Sequence, residues 1–276
     1  MHLSLKLRSG TAANSLRHIK PSAKRTLPKS SMATPTLISS IPDLQVFLSS
    51  IPPSSTFYLD LEGKSLSRYG TLTLLTILVL PTRATSIVDV QTLGDAAFTT
   101  PGTEGGNTLK TILEDANTPK YFWDVRNDAD ALWAHHKVRL AGVTDVQLLE
   151  NASRVGNKTY LYGLDRCVER DLGLGFTEKQ RWVNTKNVVR ALMENDIFSR
   201  RPLDAKTMQY CVNDVVHLPA LHNLYAKRIT SSGWLGKAMD ESARRVVEAC
   251  GPAYVPQSEK KRLGPWGSGF GRNVWY

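Results

Sequence analysis

The sequence predicts an α/β fold: a mixed five-stranded sheet flanked by helices on both faces. Three observations predict it. Residues 56–90 hold three apolar, β-branched runs joined by short links, the pattern of an antiparallel meander. Residues 108–145 then alternate helix-like and strand-like segments. From there to about Ala249 the chain reads as mostly helical. Strands first and α/β alternation afterwards place helices against a sheet.

The elements follow in order. Residues 1–40 are rich in Ser, Thr, Lys and Arg and contain no acid, so they are expected to be disordered. The same composition is that of an organelle transit peptide, and Met32 offers an alternative start. Residues 41–250 form the expected folded domain. Ile41 to Ser49 reads as its first helix, with Leu44, Phe47 and Leu48 on one face and Pro42 near the start. Pro52 and Pro53 stop it. Strands are expected from Thr56, over Thr71–Leu80 and over Thr85–Val90, then a loop over Gly94–Asn107. A helix at Thr108–Asp115, a strand at Lys120–Trp123, a helix at Asp128–His136 and a strand at Gly142–Thr144 precede the helical remainder. Residues 251–276 are rich in glycine and proline and read as a second tail. Its Trp266, Phe270, Trp275 and Tyr276 either stack on bases, dock on a protein partner or pack back on the domain.

Charge and cysteines narrow the class. The net charge is +10 over 276 residues. Residues 1–42 carry seven basic and no acidic side chains and residues 256–276 a net +3, so the part between is neutral. The basic character lies in the tails, which suit polyanions or act as addresses. The three cysteines, Cys167, Cys211 and Cys250, form no disulfide framework and no zinc spacing. A reducing, intracellular location is expected, with mitochondrion, nucleus and cytosol all open. No run of about 18 apolar residues is present, so no membrane span is expected.

The chemistry gathers at three places. Phe57-Tyr58-Leu59-Asp60-Leu61-Glu62-Gly63 ends a strand on two carboxylates at i and i+2, which point to the same face. Like charges held so close repel unless a cation joins them, and hard oxygen ligands suit Mg²⁺ or Mn²⁺. The plain alternative is a strand fraying into a loop. Asp124-Val125-Arg126-Asn127-Asp128-Ala129-Asp130 follows the fourth strand. Asp128 falls in the first helical turn, where it either caps the helix or faces a ligand, with Asp124 and Asp130 as competitors. Tyr210 and Asp214 lie one turn apart on a helix whose Val212, Val215 and Leu218 mark its buried side. An acid there needs a partner or a metal.

Asp60-x-Glu62, Asp128 and Tyr210-x-x-x-Asp214 in this order resemble the DEDD superfamily of 3′–5′ exonucleases, tyrosine subtype. Leu59-Asp60-Leu61-Glu62-Gly63, Arg126-Asn127-Asp128-Ala129-Asp130-Ala131-Leu132, Val143-Thr144-Asp145-Val146-Gln147 and Arg201-Pro202-Leu203 are similar to its ribonuclease D and exonuclease-domain-1 branch. The resemblance covers residues 40–230. Residues 177–199 are longer than in a minimal ribonuclease D unit.

The resemblance implies an RNase H-like fold and hydrolysis of single-stranded RNA or DNA, RNA slightly favoured, by two divalent ions. It implies that Asp60, Glu62, Asp128 and Asp214 are the metal ligands and that these four with Tyr210 are catalytic. Asp60 would bridge both ions, Glu62 and Asp214 would hold the ion carrying the attacking water, Asp128 would support the second, and Tyr210 would orient the water. The alternative is a catalytically silent nucleic-acid-binding adaptor of the same fold.

Overall fold

The computed structural model describes residues 35–103, 106–229 and 232–267. In chain order the elements are β1 (Thr36–Ile38), α1 (Ile41–Ser49), β2 (Thr56–Glu62), β3 (Leu74–Leu80), β4 (Ala84–Asp89), α2 (Val90–Leu93), α3 (Ala96–Thr99), α4 (Leu109–Glu114), β5 (Lys120–Phe122), α5 (Arg126–His136), β6 (Val143–Asp145), α6 (Val146–Ser153), α7 (Leu164–Asp171), α8 (Phe176–Leu192), α9 (Ala205–Val216), α10 (Leu218–Arg228) and α11 (Ser232–Cys250). The strands form one mixed sheet in the order β1-β4-β3-β2-β5-β6. The β2-β3-β4 meander is antiparallel, whereas β1, β5 and β6 join in parallel.

The central strands are buried on both faces, so they read as nearly continuous apolar runs. Alternation still sorts their side chains. Phe57, Leu59 and Leu61 join Leu75, Ile77 and Val79 in a core shared with α1, α4 and α5. Tyr58 and Leu78 face the opposite core, with α6, α7 and α10. Asp60 and Glu62 share the parity of Tyr58 and therefore leave the sheet on that second side.

The described residues form six strands where the sequence predicts five. The additional strand, β1, lies inside the stretch expected to be disordered, and pairs with β4 from Thr36 to Ile38. The basic, Ser- and Thr-rich, acid-free composition around it reads as disorder and hides so short a strand. β3 begins at Leu74 rather than Thr71, because Thr71 and Thr73 are used to close the loop after β2. Their amides donate to the carbonyls of Lys64 at 3.0 Å and Glu62 at 2.8 Å. A Cβ on Gly63 would lie 2.0 Å from the Thr71 carbonyl oxygen, so only glycine permits that closure.

Residues 251–267, read as tail, dock on the domain. Tyr254 Oη and Lys261 Nζ each donate to Asn127 Oδ1 at 2.6 Å, and the Gly264 amide donates to Thr159 O at 2.7 Å. Trp266 packs edge-on to Trp234, with centroids 5.4 Å apart. Of the alternatives open for Trp266, packing back is the one observed. Phe270, Trp275, Tyr276 and residues 1–34 lie outside the described residues. Among the described residues no helix is long and apolar enough to cross a membrane.

Candidate active site

β2 presents Asp60 and Glu62 to α9, which packs across β2, β3 and β4. Asp204 caps α9 by accepting the amides of Lys206 at 2.9 Å and Thr207 at 3.1 Å. Arg201, just upstream, forks onto Asp89 at the end of β4 with contacts of 2.5 and 2.6 Å. These two anchors fix the start of α9. Asp214 then comes down on the two strand carboxylates. One oxygen each from Asp60, Glu62 and Asp214 lies within 4.8 Å of the others.

Asp128 reaches the same neighbourhood from the other side. It is not part of that close triplet, but its Oδ1 accepts the backbone N–H of Leu61, between Asp60 and Glu62, at 3.2 Å. Its two competitors are engaged elsewhere. Asp124 forks with Arg126 at 2.5 and 2.8 Å, and Asp130 takes the Arg68 side chain at 2.6 Å and its amide at 2.7 Å. The Val143-Thr144-Asp145 stretch builds the turn that aims Asp128. The buried Asp145 carboxylate accepts the amides of Asp124 at 2.9 Å and Val125 at 3.1 Å, holding Asp124 at a φ of 61°. Arg245 of α11 pairs with Asp145 at 2.6 Å and offsets its charge.

Burial sets the electrostatics. It raises Asp60 and Glu62 well above the ordinary carboxylate range, and the neighbouring acids add to the rise. Asp214 is raised by burial against the pull of Lys186. Asp128 is pushed up to about 7, chiefly by burial. Burial, then the charge of Asp214, raises the Tyr210 phenol, so it is protonated at neutral pH. An oxygen-only donor set, buried and short of counter-charge, fits a hard divalent cation.

One cation is already there, and the sequence reading missed it. Lys186 of α8 is buried, bonded to the Asp214 carboxylate, and 3.1 Å from Asp165. Its Nζ lies 4.9 Å from the Tyr210 ring centre and 5.2 Å from that of Trp182. Burial pulls its pKa down, but Asp214 and Asp165 outweigh this and hold it raised, so it is an ammonium. A signal was present. Trp182, Lys186 and Val189 follow helical spacing, which puts a lysine on the buried stripe of the long 177–199 stretch.

The sequence profile of the 3′–5′ exonuclease family matches residues 35–229, more than half of the chain. The chain belongs to the 3′–5′ exonuclease family. As a member it is a hydrolytic nuclease. Solved exonucleases share the fold. RNase D of Trypanosoma brucei superposes with a TM-score of 0.66 at 20% identity, covering 83% of this chain and 77% of that one. Escherichia coli RNase D gives 0.58 at 18% identity, over 79% and 51%. Brucella melitensis NrnC bound to pGG gives 0.53 at 14% identity, over 79% and 92%. No curated protein sequence matches the chain. α11 and the docked 251–267 segment lie beyond the exonuclease family match, yet Arg245 and Lys261 support the turn and helix carrying Asp128.

Proposed function

We propose that this exonuclease is metal-dependent and removes nucleotides from the 3′ end of single-stranded nucleic acid, RNA somewhat ahead of DNA. The observation that carries the proposal is the convergence of Asp60, Glu62 and Asp214 within 4.8 Å, with Asp128 beside them. The RNA preference draws support from the structural neighbours, which include T. brucei RNase D in complex with RNA U12. Asp60, Glu62, Asp128 and Asp214 would hold two ions, Mg²⁺ or Mn²⁺. When bound, such ions would supply an acidified water and neutralise charge on the attacking and leaving oxygens.

The chain's own residues do the rest. Tyr210, held protonated, serves as a hydrogen-bond donor that orients the water, not as its base. Asp128 keeps β2 and α5 in register through Leu61. The test is digestion of matched 5′-labelled single-stranded RNA and DNA with Mn²⁺, Mg²⁺ or chelator. Stepwise shortening from the 3′ end that chelator, Asp60→Ala and Asp214→Ala all abolish is expected. A wild type that binds the strand but shortens it with neither metal makes the silent adaptor the correct reading.

A further inference from the structure

Lys186 meets Asp214, one of the three converging carboxylates. Its ammonium is bonded to the Asp214 carboxylate, and the rings of Trp182 and Tyr210 flank it. On its far side stands Asp165 of α7, at 3.1 Å, whose carboxylate also pairs with Arg190. The lysine is thus bracketed by two acids, one belonging to the metal centre and one outside it. A divalent ion on Asp214 and an ammonium on the same carboxylate repel each other at close range in a poorly solvated site. Asp165 gives the ammonium a second place to rest.

We propose that Lys186 is a built-in counter-cation of the carboxylate centre, competing with a divalent ion for Asp214 and withdrawing towards Asp165 when that ion binds. This inference rests on the metal-dependent reading of the same site. The lysine offsets part of the carboxylate charge while no ion is bound. It also makes the Asp214 side of the centre the weaker metal position. Lys186 is a positioning residue here, since it acts through Asp214.

The experiment is Mn²⁺ titration of the purified full chain, without nucleic acid, with free Mn²⁺ read by electron paramagnetic resonance. Lys186→Met removes the competitor and keeps the stem. It is expected to tighten Mn²⁺ binding about tenfold or more, as close buried charge pairs couple strongly. Lys186→Arg, which keeps the charge, is expected to stay near the wild type. Asp165→Asn removes the outer resting place, commits the ammonium to Asp214, and is expected to weaken Mn²⁺ binding several-fold. A purely structural role for Lys186 would not move the two neutralising variants in opposite directions. Mn²⁺ bound equally by wild type, Lys186→Met and Asp165→Asn overturns the competition and leaves the exonuclease reading standing. No Mn²⁺ bound by any of them overturns both. Should Lys186→Met fail to fold by circular dichroism, Asp165→Asn decides alone: unchanged or tighter binding sinks the inference.

Discussion

The backbone N–H of Leu61 donates to Oδ1 of Asp128 over 3.2 Å, joining residues 67 positions apart. The bond exists because β5 pairs only with Phe57 and Tyr58 of β2. Past Tyr58 the β5 side of β2 is open, and an amide there needs an acceptor. The first turn of α5 supplies it. The strands part at the end of β2 that carries Asp60 and Glu62, the kind of strand-end position at which α/β sheets commonly receive ligands.

On the proposed function Asp128 has two separable duties, one at the ions and one at the Leu61 amide. Asp128→Asn keeps an acceptor for Leu61 and is expected to hold its melting temperature while losing about 10–100-fold in activity, the usual cost of disturbing a metal centre. Asp128→Ala removes the acceptor as well and is expected to cost a further ~1–3 kcal/mol of stability. Activity and urea unfolding on both variants check this. Equal stability of the two would show that the Leu61 bond contributes nothing.

Tyr210→Phe deletes only the hydroxyl. The ring still packs 6.0 Å from Phe198, so the fold and Mn²⁺ binding should be unchanged. The rate should fall about 10²-fold, the range for losing one preorganised hydrogen-bond donor. Single-turnover kinetics with excess enzyme reads the chemical step; an unchanged rate removes Tyr210 from the mechanism.

The Asp89–Arg201 fork should tie acid stability to the site. Burial pushes Asp89 up, but the bonds from Arg201 and Thr92 outweigh it and hold its pKa lowered. A lowered folded value contributes stability that is present above the unfolded pKa of about 3.9 and lost as pH falls through the folded value. Asp89→Asn should lower stability by ~1.5–3 kcal/mol at pH 7 and make less difference as the pH drops below about 4. Thermal melts of both proteins from pH 7 to pH 3 would show the curves converging; parallel curves would contradict the assignment.

Gly63→Ala should damage the loop that follows the strand carboxylates. The new methyl meets the Thr71 carbonyl oxygen, which cannot move without breaking the bonds of Thr71 to Lys64 and of Thr73 to Glu62. A loss of ~1–3 kcal/mol, the range for overpacking, is expected together with reduced activity. Full activity at wild-type stability would mean the loop yields freely.

Much of the fold was legible because period and punctuation are local. The meander over 56–90, the helix after Pro42 and the α5 turn carrying Asp128 follow from alternation, prolines and capping. β1 was missed because the basic, Ser- and Thr-rich segment around it reads as disorder, and the 251–267 segment because glycine and proline mask a docked strap. Lys186 was missed for a different reason. A lysine on a helix is ordinarily solvated, and only the packing of α8 against α9 shows it facing Asp214.

The order of the acids along the chain, the pairing of Asp60 with Glu62 on one strand face, and the one-turn spacing of Tyr210 and Asp214 were written in the sequence, since each depends on a few neighbouring residues. That Arg126 and Arg68 engage Asp124 and Asp130 while Asp128 bonds Leu61, and that an ammonium stands among the carboxylates, were decided only by the tertiary structure. Those outcomes depend on partners about 20 to over 100 positions away, Asp145, Arg68, Arg245 and Asp214 among them, and contacts of that range leave no periodic trace in a single chain.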